Sequence, residues 1–118
     1  MSKLLIVDDE VAILEALTDI LSVEGYEVAT AANGAEGLKR AGEERPDLIL
    51  LDLMMPVMDG QEMLRRLKES QDLRTIPVVV MSAGRVSKSE LQGSRFLAKP
   101  FELDDLLDTV SAELNRVH

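Results

Sequence analysis

Three acidic side chains directly follow two apolar runs of the sequence. Asp8 and Asp9 come after the run LLIV, and Asp52 comes after LILL. If both runs are buried parallel strands, their carboxyl ends lie at the same edge of an open α/β sheet, where such sheets bind ligands. Carboxylates that converge there repel one another unless a cation lies among them. The pattern predicts an acidic pocket that holds Mg²⁺ or a similar hard cation and accepts a phosphoryl group.

Two further side chains could serve phosphoryl transfer at that pocket. Lys99 follows the predicted fifth strand, and Ser82 ends the predicted fourth strand. In this scheme Asp52 is the nucleophile, the cation and Lys99 offset the charge on the phosphoryl oxygens, and Ser82 donates a hydrogen bond. Each residue also has a purely structural interpretation, because Asp8 or Asp9 could cap a helix and Lys99 could be a surface lysine.

The composition bounds the fold and the possible partners. With 118 residues, of which 46% are hydrophobic, the chain fits one compact domain. Its 22 acidic and 13 basic residues give a net charge of −9, which disfavours direct binding to nucleic acid or to an anionic membrane. The absence of cysteine excludes disulfides and thiol chemistry. The first apolar run is too short for a signal peptide or a membrane span, so we expect a cytoplasmic protein.

Apolar runs and helical periodicity alternate along the whole chain. The predicted strands cover residues 4–7, 26–30, 48–51, 76–81 and 95–98. A helix with its stop signal at Gly25 follows the first strand, and Asn33 is expected to cap a second helix that ends near Glu44. Pro100 is expected to open the last helix. The alternation predicts a parallel sheet with helices on both faces and right-handed crossovers.

The motifs LLIVDDE, PDLILLDLMMPVMDG, VVVMSA and FLAKPF occur in the order found in the receiver domain of two-component response regulators. The sequence resembles that family over almost its whole length. The resemblance implies a five-stranded, doubly wound parallel sheet of the flavodoxin-like type with strand order 2-1-3-4-5. It also implies bound Mg²⁺, and an aspartyl phosphate that is delivered from the phosphohistidine of a sensor histidine kinase or phosphotransfer protein.

The resemblance assigns a role to each of the acidic residues. Asp52 resembles the phosphoacceptor, which also contacts the metal ion. Asp9 and the main-chain carbonyl of Met54 resemble direct metal ligands, and Asp8 resembles a ligand that acts through water.

Three residues resemble the parts of the family's switch. Ser82 resembles the hydroxyl residue that moves onto the phosphoryl group, and Lys99 resembles its ion-pair partner. Phe96 resembles the aromatic residue whose rotamer reports the active state. The same likeness implies a cis peptide bond between Lys99 and Pro100.

Two departures from the family pattern lead to expectations of their own. The segment between Ser82 and Lys99 is several residues shorter than is typical, so we expect a short, mobile fourth helix and an altered interaction surface. Met54 and Gly84 provide no polar side chain two residues beyond Asp52 and Ser82. Because nothing there orients an attacking water, we expect slow autodephosphorylation.

The expected protein is a single receiver domain over residues 1–118, with no output domain, that signals to a downstream protein by contact. It could equally be a domain excised from a longer regulator. We expect no turnover of external substrates, because Met54 occupies the place where a hydrolase with an aspartyl-phosphate nucleophile has a second acid. A flavodoxin-like redox carrier is disfavoured because the sequence DDE would repel a flavin phosphate. The remaining alternative is a docking module that works without phosphorylation. His118, the last residue, is expected to be a solvated terminus.

Overall fold

The computed structural model describes residues 2–55 and 58–116. Within these residues, five strands alternate with five helices in the order β1 (Lys3–Val7), α1 (Val11–Val23), β2 (Glu27–Ala31), α2 (Gly34–Glu44), β3 (Leu48–Asp52), α3 (Gly60–Glu69), β4 (Val78–Ser82), α4 (Lys88–Leu91), β5 (Arg95–Ala98) and α5 (Leu103–Arg116).

The strands form one parallel sheet in the order β2-β1-β3-β4-β5, as predicted. Val7 of β1 is in register with Leu51 of β3, which in turn pairs with Val80 of β4. Because β1 and β3 are neighbours with this register, the residues that follow them emerge side by side at the carboxyl edge of the sheet.

Alternate residues of each central strand face opposite layers of helices. One core layer joins residues from the strands to α2 and α3, and includes Leu5, Val7, Ile49, Leu51, Val80, Met63, Leu64 and Leu67. The other joins them to α1 and α5, and includes Leu4, Ile6, Leu50, Met81, Leu17, Leu21, Leu106 and Val110. A sheet buried on both faces explains why these strands are continuous apolar runs rather than alternating ones.

Several predicted element boundaries were wrong by one to three residues. β4 begins at Val78 rather than at residue 76, because the Ile76 amide donates to the Leu73 carbonyl in a turn and Pro77 has no N–H to donate. β2 begins and ends one residue later than predicted. The last helix begins at Leu103, and Pro100 lies before it in a cis peptide bond with Lys99, as the family likeness implied.

The fourth helix is short, as expected. It has four residues, Lys88–Leu91, and buries none of them. Ser87 caps it in a capping box with Glu90, in which each side chain accepts a hydrogen bond from the other residue's backbone N–H. Among the described residues, no helix combines the length and the apolar character needed to cross a membrane.

Candidate functional site

The three predicted carboxylates converge at the carboxyl edge of the sheet. Asp8, Asp9 and Asp52 each place a carboxylate oxygen within 4.8 Å of the other two. Asp8 and Asp52 are buried, whereas Asp9 is exposed. The adjacency of β1 and β3 brings together residues that are more than forty positions apart in the chain.

Lys99 reaches the same pocket from the end of β5. Its Nζ lies 2.7 Å from Asp8 Oδ2 and 3.6 Å from Asp52 Oδ2. Its backbone N–H donates to the Ser82 carbonyl at 2.9 Å, which fixes the start of the following loop against β4. The side chain is only 12% exposed, so the ammonium group faces the carboxylates rather than bulk water.

Asp8 serves the pocket and the start of α1 at once. Its Oδ1 accepts the backbone N–H of Glu10 at 2.9 Å, and its Oδ2 accepts from Lys99. Glu10 is the N-cap residue of α1, and its own side chain makes no capping hydrogen bond. Asp8 thus holds the residue that precedes α1 without capping the helix, and it lies in the pocket at the same time.

The surroundings of Asp52 raise the pKa of its carboxyl group above the ordinary value. Burial is the main cause, and the charges of Asp8 and Asp9 add to it, while the Met54 N–H and Lys99 act in the opposite direction. The Met54 N–H donates to Asp52 Oδ1 at 3.2 Å.

The pKa of Lys99 reflects competing effects. Its burial alone would lower that pKa, but the hydrogen bond to Asp8 and the charges of Asp8, Asp52 and Glu10 outweigh the burial and raise it. Lys99 is therefore a stable cation in the pocket.

Ser82 and Phe96, the two predicted switch residues, lie on the neighbouring strands β4 and β5. Ser82 ends β4 and is buried, and its Oγ accepts the Gly84 N–H at 3.2 Å. Phe96 pairs with Val80 across β4 and β5 and packs, half-buried, against the core layer of α2 and α3. Their proposed movements stay predictions.

The donor set fits a hard divalent cation. Three carboxylates offer only oxygen ligands, as Mg²⁺ prefers, and two of them are buried, which makes their mutual repulsion costly without a counter-ion. Met54 lies beside Asp52 with an exposed side chain. The metal-ligand role of its carbonyl stays a prediction.

Two glycines that closely approach the backbone of Asp52, Leu53 or Met58 were not among the predicted site residues. A Cβ on Gly60 would lie 2.4 Å from the Asp52 carbonyl oxygen, and a Cβ on Gly34 would lie 2.5 Å from the Met58 carbonyl oxygen. The sequence offers one local signal for Gly60, the Asp-Gly pair after β3, which is typical of a turn or loop. Nothing local marks Gly34, because its contact lies on a distant segment.

The sheet order and the acidic edge define a doubly wound α/β protein with a ligand site at the carboxyl ends of its strands. Comparison with known proteins identifies the class further. The response regulator receiver domain family matches residues 4–111, and the chain belongs to this family. Receiver domains are the signalling switches of two-component systems, and they bind Mg²⁺ at such an acidic pocket.

Two curated relatives and one solved structure illustrate the match. The chain is 41% identical to transcriptional regulatory protein PrrA of Mycobacterium tuberculosis over 97% of its own length and 50% of that protein. It is 40% identical to sporulation initiation phosphotransferase F of Bacillus subtilis over 95% of its length and 93% of that protein. The chemotaxis response regulator CheY4 of Vibrio cholerae superimposes with a TM-score of 0.89 at 34% identity, covering 96% of this chain and 98% of that one. The chain thus spans about half the length of PrrA and almost all of the phosphotransferase.

Proposed function

We propose that this domain accepts a phosphoryl group on Asp52 from the phosphohistidine of a sensor histidine kinase or phosphotransfer protein. The reaction requires Mg²⁺, and the phosphorylated domain signals to a downstream protein by direct contact. The single observation that carries the proposal is the convergence of three carboxylates and the Lys99 ammonium group on one buried edge.

The hydrogen bonds of the pocket favour Asp52 over its neighbours as the acceptor. Both carboxylate oxygens of Asp8 are engaged at short distance, by the Glu10 N–H at 2.9 Å and by Lys99 at 2.7 Å. Asp9 is exposed, so it lacks an enclosed reaction site. Asp52 Oδ2 lies 3.6 Å from Lys99, which leaves this oxygen less constrained and free to attack phosphorus.

The residues divide the work of the transfer. Asp8, Asp9, Asp52 and the Met54 carbonyl would hold Mg²⁺, which when bound supplies positive charge next to the phosphoryl oxygens. An oxygen of Asp52 forms the new bond to phosphorus while the bond between phosphorus and the donor's imidazole nitrogen breaks. Lys99 provides a second positive charge that is already in place before the donor arrives.

The response to phosphorylation begins at Ser82. Its hydroxyl accepts the Gly84 N–H in the present state, and we propose that it moves to donate to the phosphoryl group. The loop after β4 and the side chain of Phe96 then rearrange, and a changed surface meets the partner. Because Met54 offers no second acid, the domain does not turn over external substrates. We place this one receiver unit in the cytoplasm, where an ATP-dependent kinase can phosphorylate it.

Small-molecule phosphorylation tests the proposal directly. The domain is incubated with Mg²⁺ and acetyl phosphate, and its intact mass is measured. We expect one phosphoryl group on the wild type and on Asp19→Asn, which alters an exposed acid of α1, but none on Asp52→Asn or in EDTA. Retained phosphorylation in Asp52→Asn would refute the assignment.

A partner pull-down separates the switch from the docking-module alternative. Capture of a partner that depends on acetyl phosphate and is lost in Asp52→Asn supports the switch. Equal capture by wild type and Asp52→Asn, with and without the phosphodonor, supports docking without phosphorylation.

A further inference from the structure

We propose that Gly34, the first residue of α2, is a positioning residue for the metal pocket. It contacts neither the carboxylates nor Lys99 in any hydrogen bond or ion pair of the described residues. It acts instead through Met58 on the loop between β3 and α3, which carries Met54. The inference rests on the magnesium site proposed above.

Gly34 holds the end of this loop at a distance that no other residue permits. Its backbone N–H donates to the Met58 carbonyl at 3.0 Å. A Cβ at position 34 would lie 2.5 Å from that carbonyl oxygen and 2.9 Å from Met58 Cγ. Since real Cβ atoms essentially never approach an atom closer than 3.0 Å, a side chain here would force the loop and α2 apart.

The start of the same loop is held by a second glycine. The Gly60 N–H donates to the Leu53 carbonyl at 3.0 Å, and a Cβ at position 60 would lie 2.4 Å from the Asp52 carbonyl oxygen and 2.5 Å from Leu53 Cα. Met54 lies between these two contacts and donates its N–H to Asp52 Oδ1. The described parts of the loop are thus fixed on both sides of the residue that touches the phosphoacceptor.

The position of this loop should affect the affinity of the pocket for Mg²⁺. Mg²⁺ demands near-ideal octahedral geometry and tolerates little displacement of its ligands. To lengthen the contact between a Cβ at position 34 and the Met58 carbonyl oxygen from 2.5 Å to at least 3.0 Å, the loop or α2 must shift by about 0.5 Å. Residues that orient metal ligands without touching the metal typically change its affinity by about 10- to 100-fold when they are replaced.

The other glycines of α2 provide matched controls in the same helix. A Cβ on Gly37 would approach Met63 Sδ at 2.8 Å, Met63 Cε at 2.9 Å and Val7 Cγ1 at 3.1 Å, all of which are side-chain atoms, and the two nearest form the flexible end of Met63. A Cβ on Gly42 would meet nothing within 4 Å. Of the three glycines of α2, only Gly34 would place a Cβ against a backbone atom. Alanine at position 37 therefore tests a clash with side chains, and alanine at position 42 tests the change in helix propensity alone.

Magnesium titration of three alanine variants tests the inference. Calorimetry measures the Mg²⁺ dissociation constant of Gly34→Ala, Gly37→Ala and Gly42→Ala, with thermal melts to show that each is folded. We expect the constant to rise about tenfold in Gly34→Ala and to stay within about twofold of wild type in the other two. Wild-type affinity in Gly34→Ala, or an equal loss in Gly37→Ala, would overturn the inference.

A double variant distinguishes the backbone contact from the side-chain contact. Adding Met58→Ala to Gly34→Ala removes Cγ but leaves the carbonyl oxygen, which is the nearest atom. We therefore expect no recovery of Mg²⁺ affinity. Full recovery would show that the Met58 side chain, rather than the loop backbone, carries the effect, and would overturn the inference as stated.

A measurement on the wild type covers the case in which Gly34→Ala does not fold. Because coupling between sites is reciprocal, saturating Mg²⁺ should slow hydrogen exchange of the Gly34 amide by severalfold and leave the Gly42 amide unchanged. If the wild type binds Mg²⁺ but the Gly34 amide does not respond, this inference fails while the proposed function stands. If the wild type binds no Mg²⁺, the proposed function fails with it.

Discussion

The two sides of the acidic pocket are built differently. On one side, every residue of β3 is buried, and α3 buries Gly60, Met63, Leu64 and Leu67 against the sheet. On the other side, α4 buries no residue and β5 buries only Leu97. The side that holds Asp52 is packed like a protein core, whereas α4 and β5, which follow Ser82 on the other side, bury few residues.

This difference separates two tasks of a switch. The acceptor needs a fixed geometry, which dense packing and close glycine contacts supply. The responding surface needs a small free-energy difference between its states, which few buried contacts supply. The unequal packing therefore suits a switch in which one side of the pocket changes while the other keeps its geometry.

Apart from the half-buried Leu91, which packs against the core layer of α2 and α3, the contacts that hold α4 are polar and exposed. The Gln61 side chain donates to Glu90, and Glu90 also accepts the Ser87 N–H, which lowers the pKa of the Glu90 carboxyl group. Exposed polar contacts of this kind contribute little to stability. These contacts orient α4 in the unphosphorylated state, but they add little to the free energy needed to displace it.

Hydrogen exchange should show the largest difference between the two sides. We expect the amides of residues 86–92 to exchange at least about a thousandfold faster than those of β3 and β4, because α4 can open without global unfolding. Exchange followed by mass spectrometry or NMR measures this. Protection across 86–92 as high as in the strands would contradict the comparison.

Truncation of leucines on the two sides should differ in cost. Leu64→Ala removes a fully buried side chain of α3 and should lower the free energy of unfolding by about 2–5 kcal/mol. Leu91→Ala removes a half-buried side chain of α4 and should cost no more than about 1 kcal/mol. Urea denaturation measures both. Equal costs would show that α4 is as well anchored as α3.

Because the pKa of Asp52 is raised, replacing this residue should increase the free energy of unfolding by an amount that depends on pH. A carboxyl group whose pKa is raised by folding stabilises the folded state when it is protonated, and this stability is lost as pH rises from the ordinary value through the raised one. In EDTA at pH 7, Asp52→Asn should therefore be more stable than wild type by about 1 kcal/mol.

The wild type and Asp52→Asn should have the same stability in acid. Well below the ordinary value of 3.8, the wild-type carboxyl group is protonated in both the folded and the unfolded state, and the advantage of asparagine should vanish. Thermal or urea unfolding across this range checks the trend, with Asp19→Asn as the exposed control. A gain that persists unchanged in acid would argue against burial of a charge as its cause.

The lifetime of the phosphoryl group should respond differently to substitutions in the loop after β3 and in the loop after β4. Met54→Asn and Gly84→Glu each supply a polar side chain that can orient water, and a hydrogen bond of about 1 kcal/mol corresponds to about fivefold faster dephosphorylation. We expect the larger change at Met54, because its loop is held on both sides. Decay is followed by intact mass, with Met54→Leu and Gly84→Ala as controls. Unchanged decay in both polar variants would contradict the expectation of a slow wild type.

The sequence predicted the central strands well because their burial on both faces leaves an unambiguous signal. Residues 48–51 read as a continuous apolar run and do form β3, which ends at Asp52. Asn33 was correctly predicted to cap α2, and its side chain accepts the Glu36 N–H at 2.9 Å. The adjacency of β1 and β3 followed from the doubly wound pattern, so the convergence of the aspartates was predictable as well.

The errors arise where distant contacts override local signals. Pro100 suits the first turn of a helix, but it lies in a cis peptide bond with Lys99, and the helix begins only at Leu103. Gly37 has the low helix propensity of glycine, but a Cβ there would lie 2.8 Å from Met63 Sδ. His118, expected to be a solvated terminus, lies outside the described residues.

The pairing of Lys99 with the aspartates has a consequence for ion valence. With all four groups ionised, three carboxylates and one ammonium leave the pocket two units negative. One divalent ion brings the pocket to electroneutrality, a monovalent ion leaves it undercompensated, and a second divalent ion would overcharge it. The built-in lysine thus matches the net charge of the pocket to that of one divalent ion.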